Sequence, residues 1–326
     1  MNILITGGLG FIGSNLVKSL INKKSIKQIT IVDNFSKSNI NYLDSIAKYK
    51  LFSSPKKYLK NKSKIQVIRA DIKDFSFALK ITKNIDYIVH LAAESGVDIS
   101  ISAPFESFST NVQGSYNYLE ASRVNNVKRF IFASSGAVFG DAKPPLKETN
   151  IKSPISPYGS SKLSMETFCE TYSNVFNLNT TILRFSNAYG PYSSHKRSIV
   201  AEFISNILTS KPLIINGDGN ITRDYIYVND ICDVICKMFH NKYESNIYHV
   251  GTGKETSIKN LIKTLNSIVK NNKYESFKVE YKKARVGDMK KNYTSISKIK
   301  KSLKWMPKIN LDKGLKQTFE WFAKQK

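Results

Sequence analysis

The stretch ISPYGSSKLSMETF at 155–168 sets Tyr158 and Lys162 four residues apart, behind Pro157. A proline, with fixed φ and no N–H to donate, is tolerated in a first helical turn, so the stretch predicts a helix. On that helix the two side chains lie one turn apart on one face. Such a pair can be incidental to an amphipathic helix, or it can be an ammonium placed to assist a phenol in proton transfer. A free tyrosine loses its proton near pH 10, too high for a base at neutral pH. An ammonium about 4 Å away, at an effective dielectric near 20, favours the phenolate by roughly 4 kcal/mol. That is about three pKa units at most, and burial opposes part of it.

A second cluster, TGGLGFIGS at 6–14, places glycines at 7, 10 and 13 between a strand-like and a helix-like segment. The first glycine permits a tight turn, the second lets backbone approach a pyrophosphate, and the third allows helix to pack on strand. The helix N-terminus then presents N–H groups to the phosphates. Asp33 stands at the end of the next strand-like run. Its carboxylate would accept ribose hydroxyls and repel a 2′-phosphate, which favours NAD over NADP, while Lys37 nearby leaves that choice open. Asp71, Leu91, Ala92 and Ala93 follow later strands, where adenine and ribose would lie or where small residues simply pack.

The elements that must hold these residues alternate. Apolar runs at 3–6, 26–34, 65–71, 87–93, 127–135 and 180–187 read as strands, with helical patterns between them, including 111–124. The lysine-rich stretch 41–64 reads as a surface loop with helical pieces, and 248–251 as a strand returning to the main sheet. Alternating β and α with apolar strands implies an α/β fold, a parallel sheet covered by helices on both faces. We expect a dinucleotide-binding domain over 1–187, with a returning segment around 224–251, and a smaller substrate-binding lobe over 188–326.

Composition narrows the function class. The chain has 326 residues, three cysteines without framework spacing and four scattered histidines, which predicts no metal site and fits a reducing cytoplasm. The opening MNILITGG lacks a signal-peptide pattern, and no apolar run is long enough to span a membrane. The net charge of +25 raises the question of nucleic acid. The excess, however, is diffuse lysine, the pattern of a solvated surface, and only seven arginines are present. No nucleic-acid partner is expected.

Over nearly its whole length the chain resembles the extended short-chain dehydrogenase/reductase family, in particular its nucleotide-sugar epimerase/dehydratase branch. The matching blocks are TGGLGFIGS, VDN, ADI, HLAA, TNVQGSYNYLEA, SSGAVFG, SPYGSSK, LRFSNAYGP, GDGNITRDYIYVND, HVGTGKETS, ARVGD and LKWMP. The resemblance implies a Rossmann-type sheet, with Tyr158 as base, Lys162 as its partner on the nicotinamide ribose, and Ser135 bonded to the reacting sugar hydroxyl. A positively charged nicotinamide would help bring the base near neutrality. NAD would be held by Gly7, Gly10, Phe11, Ile12, Gly13, Asp33, Asn34, Ser36, Asp71, Ile72, Leu91, Ala92, Ala93, Ser134 and Phe185, with Tyr158 and Lys162.

For a UDP-sugar substrate the resemblance points to Asn187, Arg223 and Arg285 on the diphosphate and Asp288 on the nucleotide ribose. Val200 and Asn216 would line the base pocket. Asn292, seven residues after Arg285, replaces a tyrosine that crowds the sugar in strict glucose/galactose epimerases, so an N-acetylhexosamine would fit. The following segment, TSISK, departs from the family's AD-x-SK. Phe139 replaces the tyrosine of the VYG signature. Gly136 and Ala137 replace the Asp-Glu that dehydratases use for elimination. The implied activity is a UDP-sugar 4-epimerase on glucose/galactose or N-acetylhexosamine pairs, with a 4-ketoreductase and a UDP-uronic acid epimerase as alternatives. A cytoplasmic homodimer is implied, formed through helices around 105–124 and 158–176.

Overall fold

The structure is a computed structural model that describes residues 1–38, 40–58, 62–196, 198–240, 245–271, 274–284 and 290–325. The chain forms two compact units. The first comprises Met1–Asp141, Asn150–Phe185 and Cys232–Tyr248, and the second Ala142–Thr149, Ser186–Ile231 and His249–Lys326.

The first unit is built on an eight-stranded sheet. Its strands in chain order are β1 (Asn2–Thr6), β2 (Gln28–Asp33), β3 (Lys50–Phe52), β4 (Ile65–Arg69), β5 (Tyr87–His90), β6 (Arg129–Ser135) and β7 (Thr180–Phe185), followed by the strand Asn246–Val250. In space the order is Asn246–Val250, β7, β6, β5, β1, β2, β4, β3. The ladders from β3 to β7 are parallel. Strand interiors such as Ile3, Leu4 and Ile5 are fully buried, as a parallel sheet with both faces covered requires. β1 lies between β2 and β5, so the connections leave in opposite directions there. Doubly wound sheets bind ligands at the carboxyl ends of strands at such a reversal. Helix α1 (Phe11–Leu20) follows β1 directly.

Two local expectations change. Within 41–64, residues Lys50–Phe52 form β3 and pair in parallel with β4, Leu51 opposite Val67. A three-residue edge strand whose first two residues are exposed carries no apolar run to announce it. The helix beginning at Pro157 runs to Phe176, capped by the Ser156 hydroxyl, which accepts from the Gly159 N–H. It ends where Asn177 adopts a left-handed backbone, φ 55°. Lys162, Met165, Glu166, Cys169 and Tyr172 form its buried face at helical spacing. The predicted helix at 111–124 is a π-helical turn, Ser109–Gly114, leading into the α-helix Ser115–Val124.

The second unit has a three-stranded sheet in the order Thr256–Ser257, Thr222–Arg223, Lys291–Asn292. Two parallel pairs accompany it, Tyr225–Tyr227 on Asn187–Tyr189 and Val279–Lys282 on Leu213–Asn216. Its core joins Phe203, Ile204, Leu261, Leu265, Leu315 and Phe319 from three amphipathic helices. Among the described residues no helix is long and apolar enough to cross a membrane, and no cluster of histidine, cysteine and carboxylates could hold a metal.

Candidate active site

The glycine turn after β1 owes its shape to close approach. Gly7 has φ 66°, and its N–H donates to the Val32 carbonyl at 2.8 Å. A Cβ on Gly7 would lie 2.7 Å from the Ala92 nitrogen, and one on Gly13 would lie 2.5 Å from the Cα of Gly8. Either would break the turn. Gly10 caps α1 without a capping side chain, and the first helical turn has no acidic residue. The positive end of the helix dipole is therefore open to an anion. Asp33 is buried at the end of β2 and tied to this turn: its Oδ2 accepts from the Leu9 N–H at 3.1 Å, and its Oδ1 from the Phe35 N–H and the Ser38 hydroxyl, each at 2.9 Å. Lys37 pairs with Glu94. The open cradle, the helix end and the adjacent carboxylate fit an adenine dinucleotide without a 2′-phosphate, which is NAD.

The other predicted cofactor residues surround the same strand ends. Phe11 and Ile12 open α1. Asn34 accepts from the Ser36 N–H at 3.0 Å and Asp71 from the Lys73 N–H at 2.9 Å. Ile72 is buried, whereas Leu91, Ala92 and Ala93 are half-buried just past β5. Phe185 ends β7.

The structure brings the predicted proton-transfer residues together. Ser135 ends β6, its hydroxyl accepts from the Ala137 N–H at 3.2 Å, and a side-chain hydrogen bond joins it to Tyr158. The Lys162 ammonium is 3% exposed, donates to the Ala133 carbonyl at 2.8 Å and lies 5.9 Å from the Tyr158 ring centroid. It also lies 4.9 Å from the centroid of Phe132. The electrostatics correct the expectation drawn from the Tyr–Lys pair alone. Burial pushes the Tyr158 phenol up, with the Ser135 hydrogen bond pulling it back. Burial also lowers Lys162 to about 8, against the opposing charge of Glu166. Desolvation outweighs the Ser135 hydrogen bond at Tyr158 and the Glu166 charge at Lys162.

Three polar residues of this region were not singled out from the sequence. Glu166, one turn beyond Lys162, accepts from Arg184 Nε at 2.8 Å and from its terminal nitrogen at 2.6 Å. It also accepts the Ser134 hydroxyl at 2.5 Å. Arg184 is fully buried and its guanidinium lies 4.7 Å from the ring centroid of Phe139. Asn111, in the π-helical turn, accepts from the Glu94 N–H at 2.7 Å and donates to the Glu94 carbonyl and to Ser161 on the helix of Tyr158. A carboxylate four residues after Lys162 on a buried helix face was the available signal for Glu166. Next to Ser135, a Cβ at Gly136 would meet nothing within 4 Å.

In the second unit Asn187 opens the strand Asn187–Tyr189 and is exposed, its N–H and side-chain amide donating to the Asp224 carbonyl at 2.9 and 3.4 Å. Arg223 stands in register with Asn292 on one side and Thr256 on the other. Its guanidinium donates to the Thr222 carbonyl at 2.9 Å. Asn216 ends its strand opposite Lys282. Val200 is buried, with its side chain in the apolar core. Arg285 and Asp288 lie outside the described residues.

The family model described as GDP-mannose 4,6 dehydratase matches residues 4–318. A Methanocaldococcus jannaschii protein named a putative UDP-glucose 4-epimerase is 33% identical over 324 residues, 98% of this chain and 97% of its own. The solved UDP-N-acetylglucosamine 4-epimerase of Methanobrevibacter ruminantium, in complex with UDP-N-acetylmuramic acid, is 30% identical with a TM-score of 0.88, covering 100% of this chain and 99% of that one. The UDP-glucuronic acid 4-epimerase of Bacillus cereus, with UDP-glucuronic acid and NAD, is 28% identical with a TM-score of 0.86 and full coverage of both chains.

Proposed function

We propose, for a chain that belongs to the nucleotide-sugar epimerase/dehydratase branch of the extended short-chain dehydrogenase/reductase family, that it is a UDP-sugar 4-epimerase with tightly held NAD. The observation that carries this reading is the Ser135–Tyr158 hydrogen bond beside Lys162, followed by a residue that can do no acid–base work. Gly136 has room for a side chain, so steric crowding does not account for the missing carboxylate there. Without an acid at 136 and 137, protonation of a leaving hydroxyl has no donor at these positions, and elimination is disfavoured.

In this reading Tyr158 takes the proton of the sugar 4-hydroxyl, and Ser135 holds that hydroxyl in line. Lys162 stabilises the phenolate and anchors the nicotinamide ribose. A bound dinucleotide would supply the hydride acceptor and donor for oxidation and re-reduction at that carbon. Gly7, Gly10 and Gly13 admit its pyrophosphate to the α1 N-terminus, and Asp33 receives its ribose hydroxyls. Arg223 and Asn187 bind the substrate diphosphate, joined by Arg285, while Asp288 holds the ribose and Val200 and Asn216 border the base. Asn292 beside Arg223 leaves space for an N-acetyl group, so UDP-glucose and UDP-N-acetylglucosamine are the first substrates to test. Similarity to the UDP-glucuronic acid epimerase makes UDP-glucuronic acid the next. A homodimer fits the exposed Ile101, Phe105 and Phe108 at the surface of two short helices.

The test uses protein as purified, without added cofactor. Bound dinucleotide is released and identified, and each UDP-sugar is incubated with the enzyme while epimers are resolved by NMR. Bound NAD with epimer conversion at constant total cofactor is expected. A cofactor-free protein that only reduces a 4-keto sugar at the expense of NAD(P)H overturns the epimerase and establishes the ketoreductase.

A further inference from the structure

Asp224 is 1% exposed and sits between the strands Thr222–Arg223 and Tyr225–Tyr227. Its carboxylate gathers donors from three separate segments of the second unit. Oδ1 accepts from the Thr252 N–H at 2.9 Å and the Thr252 hydroxyl at 2.6 Å. Oδ2 accepts from the Gly253 N–H at 3.1 Å, the Thr294 hydroxyl at 3.2 Å and the Ser186 hydroxyl at 3.2 Å. The main chain of the same residue is equally committed: its N–H donates to the Asn292 carbonyl at 3.0 Å, and its carbonyl accepts from the Asn187 N–H at 2.9 Å. Gly251 makes this convergence possible. A Cβ there would sit 2.7 Å from the Thr294 hydroxyl and would collide with Asp224 and Ser186 as well.

The three residues flanking this hub are those assigned above to the substrate. Arg223 precedes Asp224 in the chain, Asn187 follows Ser186 and bonds the Asp224 carbonyl, and Asn292 faces Arg223 across the ladder. A buried carboxylate without its donors is costly, so the three segments are held together by it rather than independently. We propose that Asp224 is the positioning residue of the nucleotide-diphosphate site, fixing the relative placement of Arg223, Asn187 and Asn292. This deepens, and rests on, the UDP-sugar reading of that site. The substitution Asp224→Asn is discriminating. Each carboxylate oxygen accepts a backbone N–H, from Thr252 or from Gly253, and neither N–H can turn away from an amide NH2 placed opposite it.

The experiment measures UDP affinity by titration calorimetry for full-length, NAD-loaded wild type, D224N, G251A, T294V, R223A and D224N/R223A, with NAD content and thermal melts in parallel. D224N and G251A should each lose UDP affinity by about 10- to 100-fold, with NAD content unchanged and the kinetic loss falling on KM more than on kcat. T294V, which keeps the carboxylate and deletes one hydroxyl, should lose about threefold to tenfold, and it decides the matter if D224N does not fold. In the R223A background the D224N loss should shrink, because Arg223 is one of the three residues that Asp224 places. Wild-type affinity in D224N and T294V, or full multiplication of the losses in the double variant, overturns the positioning role. A wild-type protein that binds no UDP sinks the nucleotide-sugar reading itself and takes this role with it.

Discussion

Two buried carboxylates organise the two units, and they are satisfied in opposite ways. Glu166 in the first unit meets a full opposite charge, the Arg184 guanidinium, in a two-pronged pair completed by the Ser134 hydroxyl. Asp224 in the second unit is held by hydroxyls and backbone N–H groups from three segments. The Glu166 arrangement fixes a helix against a strand next to Lys162, where the charge balance of the neighbourhood bears on proton transfer. The Asp224 arrangement fixes loop backbone, where the position of a few donors bears on recognition. One is an electrostatic brace for chemistry, the other a geometric brace for binding.

The sharpest way to separate the two is Tyr158→Phe. Loss of the phenol should lower turnover by about 10²- to 10⁴-fold while UDP affinity and NAD content stay near wild type. A comparable loss of UDP affinity in Y158F would break the division between chemistry and recognition.

Glu166→Ala comes next. Removing one partner of a buried ion pair leaves Arg184 uncompensated and should cost about 3–5 kcal/mol in denaturant unfolding. The paired replacement Glu166→Leu with Arg184→Met should recover most of that loss, because both charges leave together. If E166A alone unfolds at the wild-type denaturant midpoint, the charge pairing is not what braces this helix.

Lys162 links stability to pH in the same region. Its folded value, about 8, lies below the ordinary 10.5 of a lysine, so between about 8 and 10.5 the unfolded chain binds more protons and stability rises with pH. Below 8 the buried ammonium costs on the order of 3 kcal/mol relative to an unshifted lysine. Lys162→Met should remove this rise, and the gap between variant and wild type should narrow as pH climbs from 8 to 10. Unfolding curves at pH 7, 8.5 and 10 measure it, and parallel pH dependence in both proteins would contradict it.

The smallest effect is expected at the helix surface. Phe105→Glu with Phe108→Glu should shift mass from dimer to monomer in light scattering without moving the melting temperature of either unit much. An unchanged mass would remove these helices from the proposed interface.

Much of the first unit was legible in the sequence because its signals are local. A glycine triplet between strand and helix, a carboxylate at the next strand end, and a tyrosine and lysine one turn apart each follow from short-range geometry, and the parallel sheet follows from repeated apolar runs. What the sequence did not reveal is equally specific. β3 needed the edge of β4 to become a strand. Glu166 and Arg184 are 18 residues apart in the chain and look like ordinary surface charges until the helix buries one and the strand the other. Asp224 reads as one more letter of TRDY, yet its donors come from residues 186, 252, 253 and 294. The protonation of Tyr158 and Lys162 likewise depended on burial, which spacing cannot state. Sequence determined which groups could do the chemistry and that strands and helices would alternate into a parallel sheet. Only the tertiary structure decided which charges leave water and what meets them there, because desolvation and hydrogen-bond partners are properties of packed neighbours rather than of chain neighbours.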